Sequence, residues 1–194
     1  DTRITVEGDG RIELAGSPQE DLHDLSRELR LHGNEVFEMG NVFGIGWASL
    51  GQQPLHRNDE ISMLPKERYS ALQDIGDPEL METMTKRLNG VTANLSYTDE
   101  TNAVAKAQAA FRVLPIVSAI FACSPFENGK LSPFLDARRH CIQHHAPERT
   151  GIPPNILDEN VSSRDWFLYC INLHVVLVTI AGKTVRPTTT VTVG

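Results

Sequence analysis

The stretch from Thr2 to Gly16, TRITVEGDGRIELAG, constrains the fold of this chain more than any other. Two short runs of alternating residues flank a Gly-Asp-Gly turn, and two such runs in tandem read as a β-hairpin, which is antiparallel by construction. A helical pattern follows at once in SPQEDLHDLSRELRLHGNEVFEMG. There Ser17 can cap, Pro18 suits the first helical position and Glu20 completes a capping box. Leu22, Leu25 and Leu29 fall on one face, and Gly40 supplies the stop.

The rest of the chain continues this mixture of α and β. NVFGIGW reads as a strand weakened by glycines, followed by an irregular loop to about Met63. PKERYSALQDIG and DPELMETMTKRLNG read as two short helices, the second capped by Asp77, with Pro78 at its first position and Asn89-Gly90 as its stop. VTANLSY alternates as a strand does, and a long helical pattern runs from Thr98 to Cys123, which Pro115 should kink or split. After residue 124 the regular signal fades through loops rich in His, Arg and Pro. SRDWFLYCINLHVVLVTI then resumes as a helix or a helix plus strand, and Pro187 confines any strand in the tail to an edge or to an element's start.

Composition narrows the function classes. With 194 residues, 40% hydrophobic and 22% charged, the chain has the balance of a globular protein with its own core, read as a single domain over residues 1–194. The net charge of −7 comes from interspersed acids and bases, which leaves no basic stripe for a nucleic-acid backbone. Cys123, Cys141 and Cys170 are odd in number and lack C-x-x-C spacing, against both a disulfide framework and a cysteine zinc site. No run of ~18 uninterrupted apolar residues is available to span a bilayer; the closest, Phe167 to Ile180, contains Asn172 and His174. No signal peptide opens the chain, so the expected location is cytoplasmic, with no membrane partner.

Three groups of residues could carry chemistry. In the hairpin, Glu7 and Glu13 would face each other across a three-residue loop centred on Gly10, with Cβ atoms about 5 Å apart. Two such carboxylates repel unless a cation lies between them, and an oxygen-only pair suits Mg²⁺. The same periodicity also fits a solvated hairpin with the acids on opposite faces. The second group is basic: Lys66 and Arg68 at a helix start, and Arg138, Arg139, His140, His144, His145 and Arg149 in LDARRHCIQHHAPERTG. Arginine forks read carboxylates and phosphates, although most surface arginines simply face water. His140 and His144 would share a helical face, as zinc ligands do, but no H-E-x-x-H glutamate accompanies them and Pro147 disfavours a long helix. The third group is the loop Ser124 to Lys130, where Ser124-Pro125 stops a helix, Phe126 anchors, Glu127 and Lys130 stay outside and Gly129 permits a turn.

In order along the chain, VEGDGRIELAGSP, FGIGW, LPKERYSAL, VTANLSYTDE, FRVLPIVSAIFACSPFENGK, RRHCIQHHAPERTGIP and DWFLYCINLHVV resemble the glutamate–cysteine ligases of the plant and proteobacterial type. The resemblance spans residues 3 to about 178. It implies an ATP-dependent ligase that joins the γ-carboxylate of glutamate to the amine of cysteine, the first step toward glutathione. The implied fold is α+β, similar to the catalytic domain of glutamine synthetase: a curved, mainly antiparallel sheet with helices packed outside, of which these residues can carry a part.

The same resemblance assigns roles. It implies that Glu7 and Glu13 hold Mg²⁺, that Arg68 and Arg138 serve the amino-acid substrates and the phosphoryl intermediate, and that Lys66 and Arg149 meet ATP. Asn94, Ser124, His140 and Arg149 would line the substrate site. The sequence also departs from the family pattern: Thr92 replaces a glutamine, Ser96 an acid and Ile142 a tryptophan, and IQHHAPER replaces an acid- and threonine-rich run. Family chains are considerably longer, with further magnesium-binding acids upstream and a portion downstream that closes the nucleotide site. The alternative reading is a non-catalytic homologue that binds an amino acid or a protein partner.

Overall fold

A computed structural model describes residues 2–65, 67–73, 75–173, 175, 177–185 and 187. The opening hairpin forms as the alternation requires, from β1 (Arg3–Val6) and β2 (Ile12–Ala15), joined by a 3-10 turn at Gly8–Gly10. Its register pairs Thr5 with Glu13 and Val6 with Ile12, so the expected opposition of Glu7 and Glu13 is corrected. The Glu7 amide closes the turn on the Arg11 carbonyl at 2.9 Å. In this register Glu13 meets the Thr5 hydroxyl, which donates to it at 2.9 Å, instead of a like charge.

Helix α1 (Leu22–Phe43) starts four residues later than the Ser17 cap would place it. Asp21 caps it, accepting from the His23 and Asp24 amides, and the aspartate outcompetes the serine because it reaches two of the orphan donors. Gly40 does not end the helix. Trp47 folds back onto Gly40, whose α-carbon has no room for a side chain beside the indole, and the helix runs on to Gly44 in the left-handed region at φ 66°. The expected strand NVFGIGW is therefore the last helical turn followed by a loop.

Helices α2 (Glu67–Leu72) and α3 (Pro78–Arg87) match the sequence reading, α3 with Asp77 as cap and Pro78 in its first turn. Helix α4 (Glu100–Ile120) passes through Pro115 without interruption; Pro115 is exposed, so water can take the hydrogen bond that its missing amide forgoes. By length and hydropathy α4 reaches the range of a membrane-crossing helix, although polar residues interrupt its apolar run. Beyond it the structure is more regular than expected. Strands β3 (Phe126–Glu127) and β4 (Lys130–Leu131) form a hairpin about Asn128 and Gly129, both at positive φ, the two-residue turn that an Asn-Gly pair favours. Phe126 is exposed rather than anchored. Helix α5 (Ala137–His145) and α6 (Pro147–Thr150) break at Pro147, α7 (Ser163–Asn172) carries a Ser162–Asp165 capping box, and β5 (Val178–Ile180) pairs with β6 (Lys183–Val185).

The architecture is α+β, but the expected continuous curved sheet is absent among the described residues. Three separate two-stranded antiparallel hairpins take its place, and residues 91–97, expected as a strand, have no strand beside them. A lone strand leaves its backbone groups to water and gains nothing from alternation.

The core lies where α3 crosses α5, with Met81, Ala137 and Cys141 buried between them and Ile61, Tyr69, Ile75, Ala146 and Ile156 around. Arg87, at the last turn of α3, is the largest side chain in this interior, with 2% of its surface exposed. It donates to Asn128 Oδ1 at 2.8 Å and to the Gln53 carbonyl at 3.1 Å, and lies 3.9 Å from Glu127. Burial lowers its pKa and the Glu127 carboxylate opposes that shift. Truncation to Ala would open a cavity at the end of α3 and remove the bonds to Asn128 and the Gln53 carbonyl, while the exposed Asn128 and half-exposed Glu127 turn to water. Arg87→Ala should therefore lose about 2 kcal/mol of stability, read from the urea midpoint, and a loss below about 0.5 kcal/mol would show that the side chain is not a structural anchor.

Candidate functional site

Three extended segments meet where α3 ends. The Gln53 amide donates to the Arg87 carbonyl (2.9 Å), the Asn89 amide to the Gly51 carbonyl (2.9 Å), and the Gly51 amide to the Cys123 carbonyl (3.1 Å). This strap brings 51–53, 88–89 and 123–124 side by side, although they are far apart in sequence. Ser124 then pins the start of α5. Its hydroxyl donates to the Asp136 carboxylate at 3.0 Å and accepts from the Arg138 amide at 3.0 Å, while Asp136 caps the helix through the Arg139 amide. Ser124 is buried, and its hydroxyl, donating once and accepting once, sets the start of the helix.

The knot aims the side chain of Arg138 back across the strap. A Cβ on Gly90 would stand 2.3 Å from an Arg138 terminal nitrogen, and one on Gly51 would stand 3.3 Å from its Cδ. At both glycines the side chain lies against bare backbone. The buried Arg138 Nε has no hydrogen-bond partner among the described residues. The buried Nε offers no surface to a ligand, but a guanidinium is the group that reads carboxylate and phosphate oxygens, through its terminal nitrogens.

The hairpin approaches the same helix end from the other side. Arg11 donates to the carbonyls of Gly8 (2.8 Å), Thr85 (2.8 Å) and Leu88. Thr85 and Leu88 belong to the last turn and exit of α3, where orphan carbonyls concentrate negative potential, so a cation there both satisfies them and complements the helix dipole. Glu7 is half-buried and accepts from the Tyr69 hydroxyl; Glu13 is exposed. By alternation both stand on the face of Thr5, as diagonal neighbours with Cα atoms about 7–8 Å apart. They offer two carboxylates of a magnesium shell, the remainder of which would be water and phosphate oxygens. Among the described residues no three His, Cys, Asp or Glu side chains converge as a metal cage.

The other sequence candidates are dispersed. Lys66 lies outside the described residues, and so does the side chain of Arg68, whose backbone is on α2. Asn94 is exposed on the unpaired segment four residues beyond Gly90. His140 stacks on Phe134 at 4.0 Å, and its ring is 4.2 Å from that of His144. The His144 Nδ1 lies 2.8 Å from the His140 carbonyl, an arrangement of local packing, and His145 is buried. Arg149 is half-buried on α6.

Sequence reasoning missed Arg11, Arg87, Gly51 and Asp136. Asp136 had a legible signal, an aspartate directly before a helix-forming run. The others act through partners more than thirty positions away, which no local pattern encodes. Cys141 is buried, donates to the Leu80 carbonyl at 3.2 Å and has its thiol pushed up to about 11, chiefly by burial with Glu127 adding. It is no nucleophile at neutral pH.

The sequence model of a family described as glutamate–cysteine ligase family 2 matches residues 1–189. The chain is 30% identical over 177 residues to glutamate–cysteine ligase, chloroplastic, of Arabidopsis thaliana, covering 88% of this chain and 33% of that protein. The protein of the same name from Brassica juncea is 30% identical over 187 residues, with 93% and 35% covered. Glutamate–cysteine ligase A, chloroplastic, of Oryza sativa subsp. japonica is 30% identical over 179 residues, with 90% and 36% covered. The chain thus spans about a third of the length of these relatives. The designation of these relatives as chloroplastic overturns the expected cytoplasmic location.

Two outcomes follow from this geometry. Gly90→Ala drives a Cβ against the mobile end of Arg138, so stability should change by less than about 0.5 kcal/mol. Affinity for a carboxylate or phosphate ligand should fall about tenfold, the loss of one charge-assisted bond; isothermal titration against a thermal melt separates the two. Because the folded Cys141 pKa lies above the unfolded value of 9.0, the unfolded chain ionises first. Stability is therefore whole below about pH 9 and declines as pH rises toward 11, and Cys141→Ala should flatten that decline in pH-dependent urea melts.

Proposed function

The chain belongs to glutamate–cysteine ligase family 2, and from that membership we propose that its notch and hairpin serve ATP-dependent joining of the glutamate γ-carboxylate to the cysteine amine, on a sheet of the glutamine-synthetase type. The observation that supports this reading most directly is the guanidinium of Arg138, held over Gly51 and Gly90.

A carboxylate is a poor acceptor for an amine until an oxygen is made into a leaving group. Transfer of the ATP γ-phosphoryl to glutamate gives a γ-glutamyl phosphate and ADP; the neutral cysteine amine then attacks the acyl carbon and phosphate departs. Arg138 is placed to hold the anionic oxygens that persist through both steps, and Arg68 is assigned the same task at the start of α2. Holding the acyl phosphate and the amine in one geometry is where most of the acceleration would arise. Asn94, His140 and Arg149 belong to the substrate surroundings in this reading, Ser124 positions Arg138, and Lys66 with Arg149 meets the nucleotide. Glu7 and Glu13 would hold magnesium. The chemistry that magnesium supplies when bound is neutralisation of charge on the transferring phosphoryl group and on ADP.

The second reading is a homologue that binds an amino acid without ligating it. It is favoured by one observation, that no third metal-binding carboxylate joins Glu7 and Glu13 among the described residues. ADP release by the purified chain with ATP and Mg²⁺ decides between them, with glutamate alone, cysteine alone and both, and the product followed by mass. The ligase reading expects γ-glutamylcysteine only with both amino acids, and at least a hundredfold loss in Arg138→Ala. Glutamate binding without any ADP release overturns it in favour of the binding module.

A further inference from the structure

Both hairpin carboxylates accept from a neutral hydroxyl at Oε2. For Glu7 the donor is the phenol of Tyr69 on α2, 62 positions away in sequence. For Glu13 it is the Thr5 hydroxyl on the paired strand, at 2.9 Å. The donors differ in residue type and stand on different elements, yet they meet two acids on one face of the hairpin in the same way. Backbone pairing of β1 with β2 requires neither contact.

Both donors are placed before any ligand arrives. Tyr69 has 6% of its surface exposed, so packing fixes its ring and with it the position of the hydroxyl. Thr5 is β-branched, stiff at its first side-chain torsion, and stands directly opposite Glu13 in the register. A phenol or an alcohol donates without bringing a positive charge. It therefore orients a carboxylate and leaves the negative charge in place. What an oriented carboxylate does to a metal ion depends on the size of the ion. Mg²⁺ demands near-ideal octahedral geometry at about 2.0–2.1 Å, and the narrow bite of one carboxylate does not span two octahedral corners. Ca²⁺ takes roughly six to eight oxygens at about 2.3–2.6 Å and accepts both oxygens of one carboxylate. A hydroxyl that holds Oε2 in its own direction opposes the rotation that would bring both oxygens onto one ion.

We propose that Tyr69 and Thr5 are positioning residues that present Glu7 and Glu13 as one-oxygen ligands, and that they thereby make the hairpin select Mg²⁺ over Ca²⁺. This assignment rests on the reading that the two glutamates hold magnesium, and goes beyond it by giving the choice of ion to two hydroxyls. Hydrogen-bond partners of metal ligands typically contribute about 10–100-fold to affinity. Here that contribution falls on the ion that needs the one-oxygen geometry.

The test uses the full chain with Mn²⁺ as a paramagnetic probe. Binding is read as loss of the free-ion signal in electron paramagnetic resonance, and the bound Mn²⁺ is then displaced by Mg²⁺ or by Ca²⁺. Glu7→Gln defines the share of bound Mn²⁺ that belongs to the hairpin. In Tyr69→Phe and in Thr5→Val the Mg²⁺ constant should weaken about tenfold while the Ca²⁺ constant holds, so the preference for Mg²⁺ falls about tenfold. A hydroxyl that only supports the fold would weaken both ions alike, and an unchanged preference in both variants overturns the proposal. Tyr69 is buried, so circular dichroism checks that Tyr69→Phe folds. Thr5→Val, which keeps the β-branched shape and strand propensity, carries the test by itself if the phenylalanine variant unfolds. Mn²⁺ binding that Glu7→Gln leaves untouched removes the magnesium reading and the proposal together. Binding that Glu7→Gln abolishes, with the preference intact in the hydroxyl variants, removes the proposal alone.

Discussion

A charge taken out of water sets the terms for this structure. Arg87 ends α3 with its guanidinium inside the fold, and a buried cation is tolerable only where oxygens converge on it. Asn128, the Gln53 carbonyl and Glu127 supply them, and each belongs to a segment that would otherwise be a loop. Meeting that requirement draws the 126–131 hairpin and the 51–53 strap onto the end of α3. Gln52 adds to the arrangement, its amide nitrogen 3.4 Å from the same glutamate.

From that junction the site follows by geometry. The strap carries Gly51 to Cys123, Ser124 next in line fixes Asp136 and the first turn of α5, and the first free direction for Arg138 is across the two glycines. On the opposite side Arg11 occupies the carbonyls at the exit of α3, so the carboxylate-bearing hairpin is tied to the same helix end as the anion-seeking arginine. A cation near a helix C-terminus is stabilising in its own right. Here the same contact also sets the distance between the two halves of the site.

The sequence made several pieces legible because their causes are local. Asp77 and Pro78 open α3, and the Gly-Asp-Gly turn closes the opening hairpin, each through partners within four residues; the Ser162–Asp165 box and the Asn128-Gly129 hairpin are equally local but emerge only in the structure. Local rules fail where packing intervenes: Gly40 predicts a stop, but Trp47, seven residues on, packs on it and the helix continues to Phe43. Of the site, the arginine in RRHC and the hairpin glutamates were recognisable by resemblance. The notch that holds Arg138 and the clamp made by Arg11 were not.

What the sequence determined by itself is the opening hairpin, the helices α2, α3 and α4 and the cap of α3, and the family to which the order of its motifs belongs, because these depend on residues close along the chain. Only the tertiary structure decided which charges are buried and which carboxylates share a face. Arg87 reaches a partner 41 positions away and Arg11 one 77 positions away. Strand pairing obeys the same limit. VTANLSY has the alternation of a strand, but alternation prescribes only which side chains share a face, and hydrogen bonds require a second backbone in register beside it.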